Sequence, residues 1–373
     1  MFWTWCPFVI PAALTAAAGA IGLGTPAPSP REALTRATAA LEPAEILGLA
    51  RQSDALYAPY HLLTHFWTEA TGDSITALRV PSLIAAALAV GLAGELGRRL
   101  LGPGTGLCAG LMLAVLPQIS RYAQDAGPHA LSLLFATAAT LLLYRALDSP
   151  GWPAWTGYGL CVALTCFHIP ALLVLVGHAY IVVSRWRLSG QPSLFWWFPV
   201  AVLSLVPPAP LISLTARQYA AAHPWRPATR WDVALSAPET LAGAAAPGLL
   251  LIGLALAARW PDRSLIRELA VLAAVPPLLL IVTAFLASPL RSPASVLAAL
   301  PPLALCAAVA LHGLRIRTVL ALALITALGL PQQRAVRQTD GHQPAAASAL
   351  PERHHQNGLG ARPGPVAQLD AAA

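Results

Sequence analysis

At least five stretches of this chain exceed the roughly 18 apolar residues needed to cross a hydrocarbon layer about 30 Å thick, and several more come close. That feature restricts the fold to structures whose backbone is satisfied in lipid, namely helices and closed barrels. The period-two alternation of barrel strands is absent, so an all-α polytopic membrane protein is expected. Composition agrees. With 57% hydrophobic and 10% charged residues, a water-facing globule of 373 residues would lack the polar side chains to cover itself.

The apolar segments predict spans at 6–24, 80–97, 103–119, 128–147, 154–167, 169–184, 194–212, 239–258, 268–287, 294–314 and 318–330, about eleven crossings. Residues 154–183 would be about 45 Å long as one helix, too long for a single crossing. His168-Ile169-Pro170 sits at their middle, where proline disfavours continuation, so two short spans are expected. Residues 1–24 lack a basic leading segment and read as a retained first span. The division is a transmembrane domain over 1–330, with an outer first loop at 25–79, and a disordered outer tail over 331–373, rich in Ala, Pro, Gly, Gln and His.

Orientation follows from arginine. The chain has no lysine, and on this count the short loops place Arg98/Arg99, Arg145, Arg185/Arg187, Arg259/Arg263/Arg267 and Arg315/Arg317 on one side, cytoplasmic by the positive-inside rule. The first loop, the loop around 213–238 and the tail then lie outside, which implies a multi-pass protein of the cell membrane with an extracytoplasmic working face. The arginines form no stripe, so the formal charge of +7 does not point to nucleic acid. Cys6, Cys108, Cys161, Cys166 and Cys306 all fall in apolar spans and imply no disulfide framework.

In the first loop Glu42-Pro43 and Ala58-Pro59 read as helix starts, and Tyr57, Tyr60, Phe66 and Trp67 as residues of helices lying on the membrane surface. Of the acids only Glu95 lies well within a span, near Arg98 and Arg99, which disfavours an ion-coupled transporter or flippase. Acids cluster instead in the outer loops: Glu32, Glu42, Glu45, Asp54, Glu69 and Asp73 in the first loop, and Asp125 between the third and fourth spans. His61 and His65, spaced i, i+4, share a helix face as ligands of a divalent metal would, or as an interfacial face with Trp67. Trp225, Arg226, Arg230 and Trp231 suit either a sugar phosphate or an interfacial belt.

From Asp54 to Asp148 the runs DALYAPYHLLTHFW, ALRVPSLIAAALAV, ELGRRLLG, GLCAGLMLAVLPQISRYAQDAGPHAL and LLLYRALD follow one another in order. Together they resemble the GT-C polyprenyl-phosphate-dependent glycosyltransferases, in the actinobacterial branch of the protein mannosyltransferase and aminoarabinose transferase superfamily. LPQQRAVRQTDGH agrees more loosely. The resemblance implies that a sugar, such as the hexose mannose, passes with inversion from a polyprenyl phosphate carrier in the membrane lipid to an acceptor hydroxyl, on a glycan or protein, at the outer face. The leaving phosphate departs ionised, so one carboxylate base suffices, with arginine or a divalent metal ion to offset its charge.

The family carries an Asp-Glu pair just after its first span. Here that stretch reads Pro28-Ser29-Pro30-Arg31-Glu32-Ala33, which makes Glu32 the nearest match and the expected base. Asp54 matches the acid opening the family's second first-loop motif, and Asp125, in SRYAQDAGPH, the acid of its Tyr-Ala-Gln-Glu/Asp motif, both in supporting catalytic roles. Arg121, beside Asp125, and Arg291, in ASPLRSP, are the residues implied to hold carrier phosphate. Where relatives continue Ala-Arg-Pro-Tyr, this chain has Ala126-Gly127-Pro128-His129, and the family's C-terminal module is expected to be truncated. The alternative is a catalytically reduced protein that binds polyprenyl carriers or assists a partner enzyme.

Overall fold

The computed structural model describes residues 2–190, 193–222, 237–259, 263–286, 293–311 and 315–339. Among them every regular element is a helix. In chain order these are α1 (Phe2–Ala20), α2 (Pro30–Ala39), α3 (Pro43–Leu49), α4 (Ala58–Thr71), α5 (Ile75–Leu101), α6 (Pro103–Ala114), α7 (Pro117–Ala123), α8 (His129–Asp148), α9 (Trp152–Leu164), α10 (Val174–Ser189), α11 (Ser193–Leu205), α12 (Ala209–Ala222), α13 (Ala237–Ala242), α14 (Ala245–Leu256), α15 (Arg263–Leu286), α16 (Leu300–Ala310) and α17 (Arg315–Thr339).

Local chemistry sets several of these ends. Ser29 caps α2 in a reciprocal box with Glu32, Pro30 following in the first turn, and Ser74 caps α5 by accepting from the Ala77 N–H. The first loop therefore holds three short helices, α2, α3 and α4, where two were expected. The last helix runs on through Pro331 to Thr339, beyond the expected start of the tail, while 340–373 lie outside the described residues.

Three helical segments among the described residues are long and apolar enough to cross a membrane, or five if α6–α7 and α11–α12, bent by 66° and 55°, each count as one. One of the three is Trp152–Ser189, which turns back on itself. His168, within the 3₁₀ segment Thr165–Leu173, leaves the helical region at φ −143°, ψ 96°, and its ring meets His129 at the start of α8. Tyr158 of α9 and His178 of α10 both reach the level of Thr140 in mid-α8, and Arg185 lies near the α8 end at Glu268 and Tyr144. The chain thus rises along α9 and descends along α10, the division expected at His168-Ile169-Pro170.

The two ends of the structure differ in chemistry. At one, Glu95 pairs with Arg98, Arg99 with Asp148, and Arg185 with the fully buried Glu268, which also accepts from Tyr144. Glu268 is an acid that the sequence places only at the edge of a span. Between the ends, α1, α5 and α6 pack backbone to backbone. A Cβ on Gly94 would strike the Pro7 carbonyl, and one on Gly106 the backbone of Gly94 and Arg98. Such contact is how helices associate where apolar solvent gives no hydrophobic drive. The other end carries α2–α4, the C-terminus of α1 and the turn between α7 and α8.

Candidate active site

The turn at 124–127 is fixed from three directions. Gln124 Nε2 donates to the carbonyls of Gly19 (2.9 Å) and Ile21 (3.0 Å) at the end of α1. The Ala126 N–H donates to Glu32 Oε1 (3.0 Å), and Ser82 Oγ of α5 donates to the Gly127 carbonyl (3.0 Å). A Cβ on Gly127 would lie 2.6 Å from Asp125 Oδ2, so a side chain there would turn that carboxylate aside.

Glu32, expected as the base, is committed elsewhere. It is 2% exposed and accepts from Arg79 Nε at 2.7 Å, Arg79 Nη2 at 2.8 Å, the Ser29 N–H at 2.9 Å and the Ala126 N–H. Burial alone would raise its pKa, but these hydrogen bonds and the Arg79 charge outweigh that and hold the carboxyl below its ordinary value. Arg79, itself 2% exposed, also donates to the carbonyls of Leu23 and Pro26. The pair bolts the first loop to α5.

Asp125 is the opposite case. It is half-buried, and its carboxylate makes no hydrogen bond or ion pair among the described residues. Burial first, and then the neighbouring Glu32 charge, push its pKa up to about 6, against the pull of Arg121, Arg31 and Arg79. Arg31 and Arg121 are exposed and have no acid partner among the described residues; Arg121 lies over the Tyr122 ring, 5.9 Å from its centroid. Tyr57 feels the charges of both Asp125 and Asp54. The site thus presents one free carboxylate in the field of two free guanidiniums.

Asp54 ends the single π-helical turn Ala50–Asp54, a quarter exposed, 3.7 Å from His61 Nδ1. Gln218 of α12 holds this turn by accepting from the Ala55 N–H and donating to the Ala50 carbonyl. Burial raises the Asp54 pKa and lowers that of His61 to about 4, so the histidine is neutral at physiological pH and the contact is not an ion pair there. His65 Nδ1 hydrogen-bonds the Ala39 carbonyl at 3.0 Å, and its Nε2 faces Glu69 at 3.7 Å. The expected His61–His65 metal pair is thereby divided between two neighbourhoods. No group of three or more His, Cys, Asp or Glu gathers among the described residues, and the surroundings of Asp125 are cationic. The donor set does not fit a divalent ion.

Glu32 therefore reaches the Asp125 turn through the Ala126 N–H, the charges of Glu32 and Arg121 act on Asp125, and Tyr57 feels both Asp125 and Asp54. Arg291, Trp225, Arg226, Arg230 and Trp231 lie outside the described residues. Sequence reasoning missed Arg31, although it directly precedes Glu32, and Arg79, although an arginine inside an apolar run signals a partner. It also missed His129 and His168, buried edge to face with ring centroids 4.8 Å apart and each with an unpaired Nδ1.

Residues 59–213 match the family model described as dolichyl-phosphate-mannose-protein mannosyltransferase. Two crystal structures of ArnT from Cupriavidus metallidurans resemble the chain as a whole. With the form bound to undecaprenyl phosphate the TM-score is 0.62 at 16% identity, over 87% of this chain and 64% of that one. With the apo form it is 0.56 at 16% identity, over 87% and 63%. The chain thus spans just under two thirds of ArnT's length. No curated protein matches its sequence. The likeness to GT-C glycosyltransferases read from the sequence thus has support of two kinds: residues 59–213 match the pattern of the dolichyl-phosphate-mannose-protein mannosyltransferase family model, and the chain has the helical fold of ArnT.

Proposed function

We propose that this protein is a membrane glycosyltransferase of about eleven crossings that moves a hexose, such as mannose, from a polyprenyl phosphate carrier to an acceptor hydroxyl on the extracytoplasmic face of the cell membrane. The observation that carries the reading is Asp125, an unpaired carboxylate within the electrostatic reach of the free guanidiniums of Arg31 and Arg121. With its pKa raised to about 6 it is ionised at neutral pH and still basic enough to take the acceptor proton. Arg31 and Arg121 offset the charge of the departing phosphate, a role that arginine fills through charge-assisted hydrogen bonds. Glu32 acts through the Ala126 peptide to position the Asp125 turn, and Asp54, across Tyr57, borders the acceptor side. The undecaprenyl phosphate bound by the similar ArnT structure supports a carrier of that chemistry.

The reading is tested by giving the purified protein a labelled polyprenyl-phosphate sugar and measuring release of polyprenyl phosphate together with transfer. A second reading, carrier binding without turnover, draws on Glu32, whose carboxylate is fully engaged, and on Arg31, a cation standing beside it. Binding without release under every acceptor tried supports that second reading.

A further inference from the structure

At the arginine-rich end, Arg99, Arg145 and Ser149 line a polar recess of about 410 Å³ where α8 gives way to α9. Gly151 lines both this recess and an apolar groove of about 650 Å³ between α9 and α11, walled by Trp152, Trp155, Leu160, Trp196, Val200 and Leu203. We propose that recess and groove together bind one anionic phospholipid of the arginine-side leaflet, with its phosphate between Arg99 and Arg145 and an acyl chain in the groove.

Charge argues for the head group. Two guanidiniums face one carboxylate, because Arg145 has no acid partner among the described residues and Arg99 shares Asp148 through contacts of 3.1 and 3.4 Å. Arg99 and Asp148 are 28% and 42% exposed, so their pairing is weak enough to yield to a phosphate. Basic pockets between helices on the cytoplasmic side are where anionic lipid head groups bind.

Length argues for the chain. Along α9 the groove runs from Trp152 to Ala163, about 17 Å at 1.5 Å per residue, or roughly half of a 30 Å hydrocarbon core. That is one leaflet, the reach of an acyl chain and short for a polyprenyl tail. Trp152, 77% exposed at the junction, sits where an aromatic belt residue meets the head-group layer.

The test is native mass spectrometry of the full chain, delipidated in detergent and titrated separately with phosphatidylglycerol, phosphatidylcholine and polyprenyl phosphate. Phosphatidylglycerol is expected to bind better than phosphatidylcholine, to weaken about fivefold in Arg145→Gln and roughly thirtyfold in Arg99→Gln/Arg145→Gln, and to strengthen in Asp148→Asn. Thr156→Trp, which fills the groove and leaves both arginines, should expel phosphatidylglycerol as well, with folding followed by elution as a single monodisperse peak. Equal binding of phosphatidylcholine, or phosphatidylglycerol binding unchanged in the double arginine variant or in Thr156→Trp, overturns the site. Polyprenyl phosphate binding that weakens in the double arginine variant or in Thr156→Trp as phosphatidylglycerol binding does reassigns the site to the carrier and overturns it equally.

Discussion

Arg79 closes both of its available fork positions on Glu32, Nε to Oε1 at 2.7 Å and Nη2 to Oε2 at 2.8 Å, across 47 residues of sequence and with both side chains all but sealed from solvent. Removing one partner of such a pair leaves the other charged and buried, which typically costs about 3–5 kcal/mol. Glu32→Gln is therefore expected to lower thermal stability in detergent markedly. Because the folded pKa of Glu32 is depressed, its contribution is present above the ordinary glutamate value of 4.5 and is lost as pH falls through the folded value. The stability gap between wild type and Glu32→Gln should be full at pH 7 and narrow in acid. An equal melting temperature at pH 7 would remove Glu32 from the structural role.

Asp125→Asn separates activity from stability. As the base, Asp125 contributes about 10²–10⁴-fold to turnover, and that loss is expected in transfer with carrier binding retained. A carboxyl whose pKa is raised to about 6 favours the fold when protonated and loses that contribution as pH rises from about 4 through 6. The asparagine variant should therefore be as stable as wild type at pH 4 and more stable at pH 7. Wild-type transfer should fall off below about pH 6. Turnover above a tenth of wild type in Asp125→Asn rules out this residue as the base.

Arg31→Ala and Arg121→Ala should each weaken carrier binding about ten- to a hundredfold, the worth of one charge-assisted hydrogen bond of about 1.5–3 kcal/mol. Isothermal titration with a short-chain polyprenyl phosphate reads this directly. Binding within twofold of wild type in both variants would leave them as solvated surface charges.

The orientation is open to a labelling experiment. With the five native cysteines replaced, Ser53→Cys in the exposed first loop and Ser264→Cys at the start of α15 should react with an impermeant thiol reagent from opposite faces, Ser53→Cys from outside. Reaction of both from one face contradicts the arginine-based topology.

What the sequence revealed follows the range of the interactions involved. Apolar runs, the helix starts at Glu42-Pro43 and Ala58-Pro59 and the break at His168 depend on neighbours in sequence, and they were legible. Asp125 and Arg121 were found because one short motif carries both. The commitment of Glu32 was not, since its partners Arg79 and Ala126 lie 47 and 94 residues away and no spacing rule links them. For the same reason Arg31 read as a bystander, and the role of Gly127 emerges only once the Asp125 carboxylate is seen to fill the volume that a side chain would take.

The tight seam of α1 against α5 and α6 ties the outer face to the middle of the membrane. Gln124 holds the Asp125 turn by gripping carbonyls at the last residues of α1, so the height and tilt of α1 set where that carboxylate stands. Nothing elastic separates Gly94 and Pro7. A single methyl added at Gly94 would prise α1 away and drag its end, making a lesion beside the arginine-rich end register as a misaimed proton acceptor at the opposite surface.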